Sequence, residues 1–377
     1  MGKHLVLVGG GHAHLTCLKE LRHFRDSGHS ITLISPSPHH YYSGMGPGML
    51  SGMYRPQEVR FNIKRMTEHR GGVFMADKVI RIEPGEHTLF LASGQKVRYD
   101  LVSFNTGSEV PVDSLMPSPE ENVFPVKPVI NLLDARRSIL ESNREKALNL
   151  VVLGGGPAGL EVSANLCRLI HGAERNGRIT LIAGRRLMAD FPDTVRSLAL
   201  TSLSGRGVEV IEGNYVKAIG KETVTLKDDR RLPYDFTFVA VGIRPSSFFR
   251  DSGLPTGKDG GLLVNPYLQS VSYPDLFGGG DCVSLEGHSI AKVGVYAVRQ
   301  NPILYHNLLA ALEGGQMKAF QPQKDYLLIF NMGNGRGLFT KRGWTWEGRF
   351  PLLLKDYIDR RFMKTFQVSK ELEEETL

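Results

Sequence analysis

Two glycine-rich segments have the residue spacing with the most specific chemistry in this chain. The first is Gly9-Gly10-Gly11-His12-Ala13-His14, reached by the apolar run His4-Leu5-Val6-Leu7-Val8. The second is Gly154-Gly155-Gly156-Pro157-Ala158-Gly159, reached by Leu150-Val151-Val152-Leu153 and followed by Leu160-Glu161. In a strand–turn–helix unit of this kind the first glycine makes the turn sterically possible. The second lets a pyrophosphate approach the backbone. The helix that follows then presents free N–H groups and partial positive charge to the phosphates. The second loop is complete, with Gly154, Gly156 and Gly159 in all three positions. The first has Gly9 and Gly11, but His14 stands where a third glycine would let helix pack on strand. Its helix must therefore sit differently or turn His14 outward. A turn that binds nothing is the alternative for either loop alone. Two such loops in one chain predict two bound dinucleotides, with electrons passing between them.

Loops of this type need parallel sheets to hold them, and the pattern supplies the elements twice. Ile31-Thr32-Leu33-Ile34 reads as a second buried strand ending at Ser35, where an acid often takes ribose hydroxyls. The glycine- and aromatic-rich stretch 39–48 reads as a loop able to pack a flat ring. Runs at 73–76, 78–82 and 88–91 suggest a small antiparallel meander. It is closed by Tyr99-Asp100-Leu101-Val102-Ser103-Phe104-Asn105-Thr106-Gly107. A near repeat of that segment is Tyr234-Asp235-Phe236-Thr237-Phe238-Val239-Ala240-Val241-Gly242. The chain later returns with Leu276-Phe277-Gly278-Gly279-Gly280-Asp281-Cys282, so the second unit is inserted in the first. The expected fold is α/β: two Rossmann-like dinucleotide-binding domains, the second inserted in the first, with a C-terminal α+β extension. The expected boundaries are 1–110 and 246–320 for the first domain, 111–245 for the insert and 321–377 for the extension. The crossings fall in 111–128 and near Arg244-Pro245.

The 377 residues carry a formal net charge of +7, which favours anionic partners such as nucleotides or an anionic membrane surface. The charge is too modest and dispersed to point to nucleic acid. No apolar run reaches the roughly 20 residues needed to span a bilayer. The first strand begins near His4 and leaves no room for a signal peptide, so a cytoplasmic protein is expected. The 3 cysteines, Cys17, Cys167 and Cys282, form no spaced pair and suit a reducing compartment. His4, His12, His14, His23, His29, His39 and His40 crowd the N-terminus. No metal is expected from them, because they lie where phosphates and ribose belong and no cysteine or acid completes a ligand set.

Near the C-terminus, Trp344 and Trp346 precede a segment in which Phe350, Leu354, Ile358, Phe362 and Phe366 recur every four residues. Leu353 and Tyr357 widen the stripe, while Lys355, Arg360, Arg361 and Lys364 fill the rest. Pro351 suits a first helical position. A basic amphipathic helix of this kind can lie in a bilayer interface. The alternatives are packing on its own protein or against a second subunit in a homodimer.

In its ordered signatures the chain resembles the flavoproteins called pyridine nucleotide-disulfide oxidoreductases. Four match: the first loop for FAD, Thr106-Gly107, the second loop for NADH or NADPH, and Gly280-Asp281, together spanning nearly residues 4 to 300. The run Gly-Gly-Gly-His-Ala-His, followed by Ser35-Pro36 and Tyr42-Ser43-Gly44-Met45-Gly46-Pro47-Gly48, is similar to the branch of type II NADH dehydrogenases and sulfide:quinone reductases. Its nearest likeness there is to the flavoprotein module fused to selenide, water dikinase. The resemblance implies that Gly9, Gly11, His12 and Ala13 cradle the FAD pyrophosphate, with Ser35 at the ribose. It places Thr106 and Gly107 beside the flavin and Asp281, after Gly280, on the ribityl chain. A helix beginning around Lys292-Val293-Gly294-Val295-Tyr296-Ala297 would point at the flavin edge and stabilise charge there. Lys292 and Tyr296 are the catalytic candidates, with ordinary surface and packing roles as their alternative. Gly154, Gly156, Pro157, Ala158, Gly159, Glu161, Arg185 and Gly242 would serve NAD(P)H.

Two departures bear on function. Without a cysteine pair, disulfide reduction is not expected and sulfide oxidation is disfavoured; Cys282 beside Asp281 is the cysteine closest to the implied cofactor. The strand Ile179-Thr180-Leu181-Ile182 is followed by Ala183-Gly184-Arg185-Arg186 rather than by an acid. Two arginines there suit a 2′-phosphate, with a solvated basic turn as the alternative. The expectation is an FAD-dependent oxidoreductase passing hydride from NADH or NADPH to flavin and electrons to a small-molecule acceptor such as a quinone. It would be cytoplasmic or peripheral on the inner face of the membrane. A reductase or oxidase of a sulfur or selenium compound, and a non-catalytic flavin-binding module, remain open alternatives.

Overall fold

The structure, a computed structural model, describes residues 2–116, 118–323 and 325–374. Two five-stranded sheets dominate it. The first runs in the order Leu276–Gly278, Leu101–Phe104, His4–Val8, Ser30–Ile34, Val73–Met75. The second runs Val123–Pro125, Phe236–Val239, Leu148–Leu153, Gly177–Ile182, Glu209–Ile211. Every pairing in both is parallel. Leu5, Val6, Leu7, Leu150 and Val152 are fully buried, as strands covered on both faces require. The sheets share one plan and differ in where the outermost strand comes from. In the first it is supplied by chain returning after the insert, and in the second by chain just entering it. The crossings run side by side, joined by reciprocal backbone hydrogen bonds between Glu109 and Arg244 of 2.9 Å. The expected crossing 111–128 includes residue 117, which lies outside the described residues.

The repeated Tyr-Asp acquires a physical reason. Asp100 accepts from the His4 amide at 2.6 Å, and Asp235 accepts from the Asn149 amide at 2.7 Å. Each carboxylate thereby caps the start of the strand that delivers a glycine loop. Both loops leave the C-terminal end of a strand at which the order of the sheet reverses, the place where open α/β sheets bind ligands.

Several local expectations change. Val73–Met75 does not belong to the antiparallel meander; it is the parallel edge strand beside Ser30–Ile34. The meander is Val79–Glu83, Thr88–Leu91 and Lys96–Arg98, and its counterpart in the insert is Val216–Ile219, Thr223–Leu226 and Arg231–Pro233. The stretch 39–48 is no loop. His39–Tyr41 pairs antiparallel with Arg60–Asn62, and Gly46–Leu50 is a buried helix opened by Pro47. His14 turns inward rather than outward and is fully buried. Its Nδ1 meets the Gly9 carbonyl at 2.6 Å and its Nε2 meets Ser103 Oγ at 2.8 Å. A carbonyl can only accept, so Nδ1 carries the proton and Nε2 takes the serine hydroxyl. Burial drops the imidazole pKa to about 4, which keeps it neutral. The first helix accommodates the ring by starting as a tight turn, His12–His14, and breaking at Glu20 between Leu15–Lys19 and Leu21–Asp26.

The C-terminal extension is an antiparallel sheet, Leu328–Asn331, Gly337–Lys341 and Trp344–Gly348, followed by the helix Arg349–Phe366. The expected stripe is divided between two environments on that helix. Leu352, Met363 and Phe366 pack inward, whereas Phe350 (65%), Leu353 (67%), Tyr357 (62%) and Ile358 (42%) are exposed. Pro351 falls in its first turn but two residues past its start.

Candidate dinucleotide sites and their cover

Around the first loop the backbone is held by Asn105, to which the sequence analysis assigned no role. Its Oδ1 accepts from the Ala13 amide at 3.0 Å, and its Nδ2 donates to the Gly279 carbonyl at 2.6 Å. The Ala13 amide is thus engaged by Asn105 within the chain itself. Asn105 also explains the glycines. A Cβ on Gly9 or Gly11 would collide with Asn105 itself, and one on Gly280 would lie 2.5 Å from Asn105 Nδ2. Gly9 has φ +83° and Gly280 φ +76°, conformations that favour glycine. The return strand is tied in again where the Gly280 amide donates to Gln300 Oε1 at 2.6 Å.

Asp281 does not stand alone. Lys127 Nζ lies 2.7 Å from its Oδ2 and donates to Ser108 Oγ at 2.8 Å, while Ser108 donates to the same carboxylate at 2.8 Å. Lys127 follows Val123–Pro125 of the inserted sheet, so an ammonium from one unit meets the Gly-Asp signature of the other. Nothing local in the sequence marks Lys127; only the fold brings it there. His12 is buried and lies edge-on to His40, with ring centroids 4.7 Å apart and His12 Nδ1 3.2 Å from His40 Nε2. Burial, with Lys127 adding to it, takes the His12 pKa down to about 4. Its Nε2 is buried without a hydrogen-bond partner.

Thr106 is exposed and Gly107 open, with no atom within 4 Å of a Cβ built there. Ser35 is buried, its hydroxyl donating to the Ser37 carbonyl at 3.1 Å. The helix Gly294–Glu313 starts at Gly294, where a built Cβ would lie 3.5 Å from Ser43 Oγ, and Val295 follows in its first turn. The two catalytic candidates are held by the protein itself. Lys292 Nζ pairs with Asp259 at 2.8 Å and donates to the Val283 carbonyl at 2.5 Å. The Tyr296 hydroxyl donates to the Gln323 carbonyl at 3.0 Å. Both side chains thus have partners within the chain.

The second loop separates its glycines by function. A Cβ on Gly154 or Gly159 would run into backbone, that of Ala240 or of Gly154. A Cβ on Gly156 or Gly242 would meet nothing within 4 Å. Bare, open backbone at Gly156, at the head of the helix Pro157–Gly172, fits a pyrophosphate. Pro157 and Ala158 are exposed beside it. Arg185 is exposed and only loosely paired to Asp190 at 3.8 Å, whereas Arg186 is paired to Asp193 at 3.0 Å. Among the described residues no three His, Cys, Asp or Glu side chains converge to hold a metal ion.

Glu161 is engaged within the chain: its Oε1 accepts from the Asn331 amide at 2.7 Å. Burial lifts its pKa to about 7, against the opposing pull of Lys355 and that amide. From the ordinary carboxyl range up to about 7 the folded protein holds a proton that the unfolded chain releases. Stability from this group is therefore greatest at low pH and falls as pH rises through 7. Relative to wild type, Glu161→Gln should gain stability between about pH 5 and 8, by up to about 3 kcal/mol, and stay level above. Urea midpoints measured across that range check this, and a pH-independent difference would contradict it.

Over the first site lies the C-terminal helix, with Lys355, Asp356 and Asp359 facing inward. Lys355 Nζ donates to the Gly44 carbonyl and to Asp359, both at 2.7 Å. Tyr42 donates to Asp359 at 3.0 Å and Tyr54 to Asp356 at 2.8 Å. Phe362 stacks near His12, with centroids 5.9 Å apart. Cys282 is fully buried and bonded to the carbonyls of Phe104 (3.4 Å) and Gly279 (3.3 Å), and burial pushes its thiol pKa up. A nucleophilic thiolate is thereby disfavoured. Cys282→Ala should leave turnover with a quinone within about twofold of wild type, since a thiol of this kind is inert. A severe loss in steady-state rate would reinstate sulfur chemistry.

Comparison with known proteins gives the family and the fold. The family model described as pyridine nucleotide-disulphide oxidoreductase matches residues 3–307. The internal alternative NAD(P)H-ubiquinone oxidoreductase A1 of Arabidopsis thaliana is 28% identical over 207 residues, 50% of this chain and 40% of that protein. Ferroptosis suppressor protein 1 of Xenopus tropicalis is 25% identical over 362 residues, 92% of this chain and 90% of its own. The structure of NDH2 from Plasmodium falciparum in complex with NADH superposes with a TM-score of 0.81 at 14% identity, covering 99% of each chain.

Proposed function

Because the chain belongs to the pyridine nucleotide-disulphide oxidoreductase family, we propose that it is an FAD-dependent enzyme taking hydride from NADH or NADPH and passing the electrons to a quinone. The observation that carries this reading is the pair of glycine loops at the reversal points of two like sheets, without a spaced cysteine pair beside them. The flavin, when bound, supplies the two-electron chemistry. The chain's own residues bind, orient and enclose. Gly9 and Gly11 open one pyrophosphate cradle and Gly156 the other, while Asp281, oriented by Lys127 and Ser108, is the group for the ribityl chain. The alternative NAD(P)H-ubiquinone oxidoreductase among the relatives supports the quinone as acceptor. A buried Cys282 disfavours the sulfur or selenium reading. Reoxidation of the reduced protein tests the choice: a quinone should restore the flavin spectrum far faster than polysulfide or a selenium compound. The reverse order would overturn the quinone assignment.

The cover helix supports a peripheral membrane role. Among the described residues no helix is long and apolar enough to cross a membrane. Phe350, Leu353, Tyr357 and Ile358 nonetheless face outward from a helix that also carries Arg361 and Lys364, with Trp344 75% exposed close by in sequence. Deleting everything after Gly348 would also strip Lys355 and Phe362 from the site. The cleaner variant is Leu353→Glu with Tyr357→Glu, which touches only exposed positions. It should lose binding to anionic liposomes by at least about tenfold, with FAD content unchanged, as measured by vesicle flotation. Full-length protein that never floats with liposomes would remove the membrane role and leave the homodimer contact.

A further inference from the structure

Beyond Phe366 the chain folds back onto the hairpin His39–Tyr41/Arg60–Asn62 and places carboxylates in it. Gln367 donates to the carbonyls of Gln57 (2.7 Å) and Arg60 (3.0 Å). Glu371, 1% exposed, accepts from the Asn62 amide at 3.2 Å. Glu374 then enters a cradle of converging donors. Its carboxylate receives Arg60 Nη2 at 2.7 Å, His39 Nε2 at 3.1 Å, Arg65 Nη1 at 3.5 Å, and the Asn62 side-chain amide. Its backbone carbonyl receives Gln57 Nε2 at 3.1 Å.

Arg60 is 1% exposed. A guanidinium buried to that degree is tolerable only with an anion at hand, because its desolvation is otherwise uncompensated. The forked donors of Arg60 and Arg65 suit phosphoryl oxygens as well as a carboxylate. The cradle opens into a cavity of about 790 Å³ that His69 and Lys370 also line. It lies at the end of the cover helix, where Val368 and Leu372 are exposed (37% and 56%).

We propose that the Arg60–Arg65–His39–Asn62 cradle is a phosphoryl-anion site for an anionic phospholipid headgroup, which displaces the Glu374 carboxylate and releases the tail when the cover helix docks on a membrane. One anion replaces another at the Arg60 Nη2 position. The inference rests on the peripheral membrane reading above, and it adds a lipid-dependent state of the tail that the docking face alone does not require.

Hydrogen–deuterium exchange on the full-length flavoprotein tests it, with vesicles of phosphatidylcholine alone, with vesicles containing phosphatidylglycerol, and with inorganic phosphate at matched phosphoryl concentration. Phosphatidylglycerol should speed exchange in 368–374 and at the Asn62 amide, and phosphatidylcholine should not. Glu374→Gln should bind phosphatidylglycerol vesicles at least roughly threefold tighter, because the competent open cradle is more populated. Arg65→Gln, altered at a side chain that is 47% exposed, should bind them more weakly. Equal opening by inorganic phosphate would assign the free anion and overturn the lipid. If both kinds of vesicle bind while the tail stays protected, the proposal fails and the docking face stands. If neither kind binds, the docking face fails and the lipid proposal goes with it.

Discussion

Replacing Gly156 by valine is expected to cut reduction by NADH and NADPH at least roughly a hundredfold while FAD stays bound. The three spaced glycines of the second loop are not equivalent. Gly154 has φ +117° and no room for a side chain, and Gly159 packs against the Gly154 carbonyl, so substitution at either would disturb the fold. Gly156 has φ −83°, ordinary for any residue, and a Cβ there meets nothing within 4 Å. A valine therefore folds in place and projects into the space a pyrophosphate needs. Anaerobic mixing with each nucleotide, read at the flavin absorbance, checks the outcome. Wild-type reduction rates in a variant of normal flavin content would show that the nicotinamide nucleotide does not enter at this loop.

Asp281→Ala should weaken FAD by about ten- to hundredfold, the range for a lost hydrogen bond to a charged group. The effect has two sources. The carboxylate assigned to the ribityl chain disappears, and Lys127, held at 2.7 Å in the wild type, loses its counter-charge inside the site. The flavin-to-protein absorbance ratio after dialysis reports it. Asp281→Asn should be milder, because the amide keeps an acceptor. Unchanged flavin retention in both variants would remove the role of Asp281.

What the sequence reveals here is local. The two glycine loops and the Tyr-Asp repeat are legible because each is a few residues whose backbone geometry or strand-start hydrogen bond repeats in both units. The insertion is legible for the same reason, since Gly280-Asp281 returns after the second unit closes. For His14 the sequence leaves two outcomes open, and the choice depends on partners at Gly9 and Ser103, which satisfy both ring nitrogens and make a buried imidazole tolerable. Asn105 and Lys127 work across chain separations that no motif spans. The C-terminal helix shows the limit most clearly. Apolar spacing leaves open whether the stripe faces a membrane or the protein; Lys355, Asp356 and Asp359 find partners in Gly44, Tyr54 and Tyr42, and with these fixed Phe366 packs inward while Phe350, Leu353, Tyr357 and Ile358 stay exposed.

The central claim is that one chain couples a nicotinamide nucleotide to a flavin and then to a quinone. The most direct test is anaerobic titration of the purified yellow protein with NADH and, separately, NADPH, followed by a quinone. The account predicts that at least one nucleotide bleaches the flavin absorbance stoichiometrically, that quinone restores it, and that the comparison reads out which nucleotide Arg185 favours. A flavin that neither nucleotide bleaches would contradict the account and leave a flavin-binding protein without this activity.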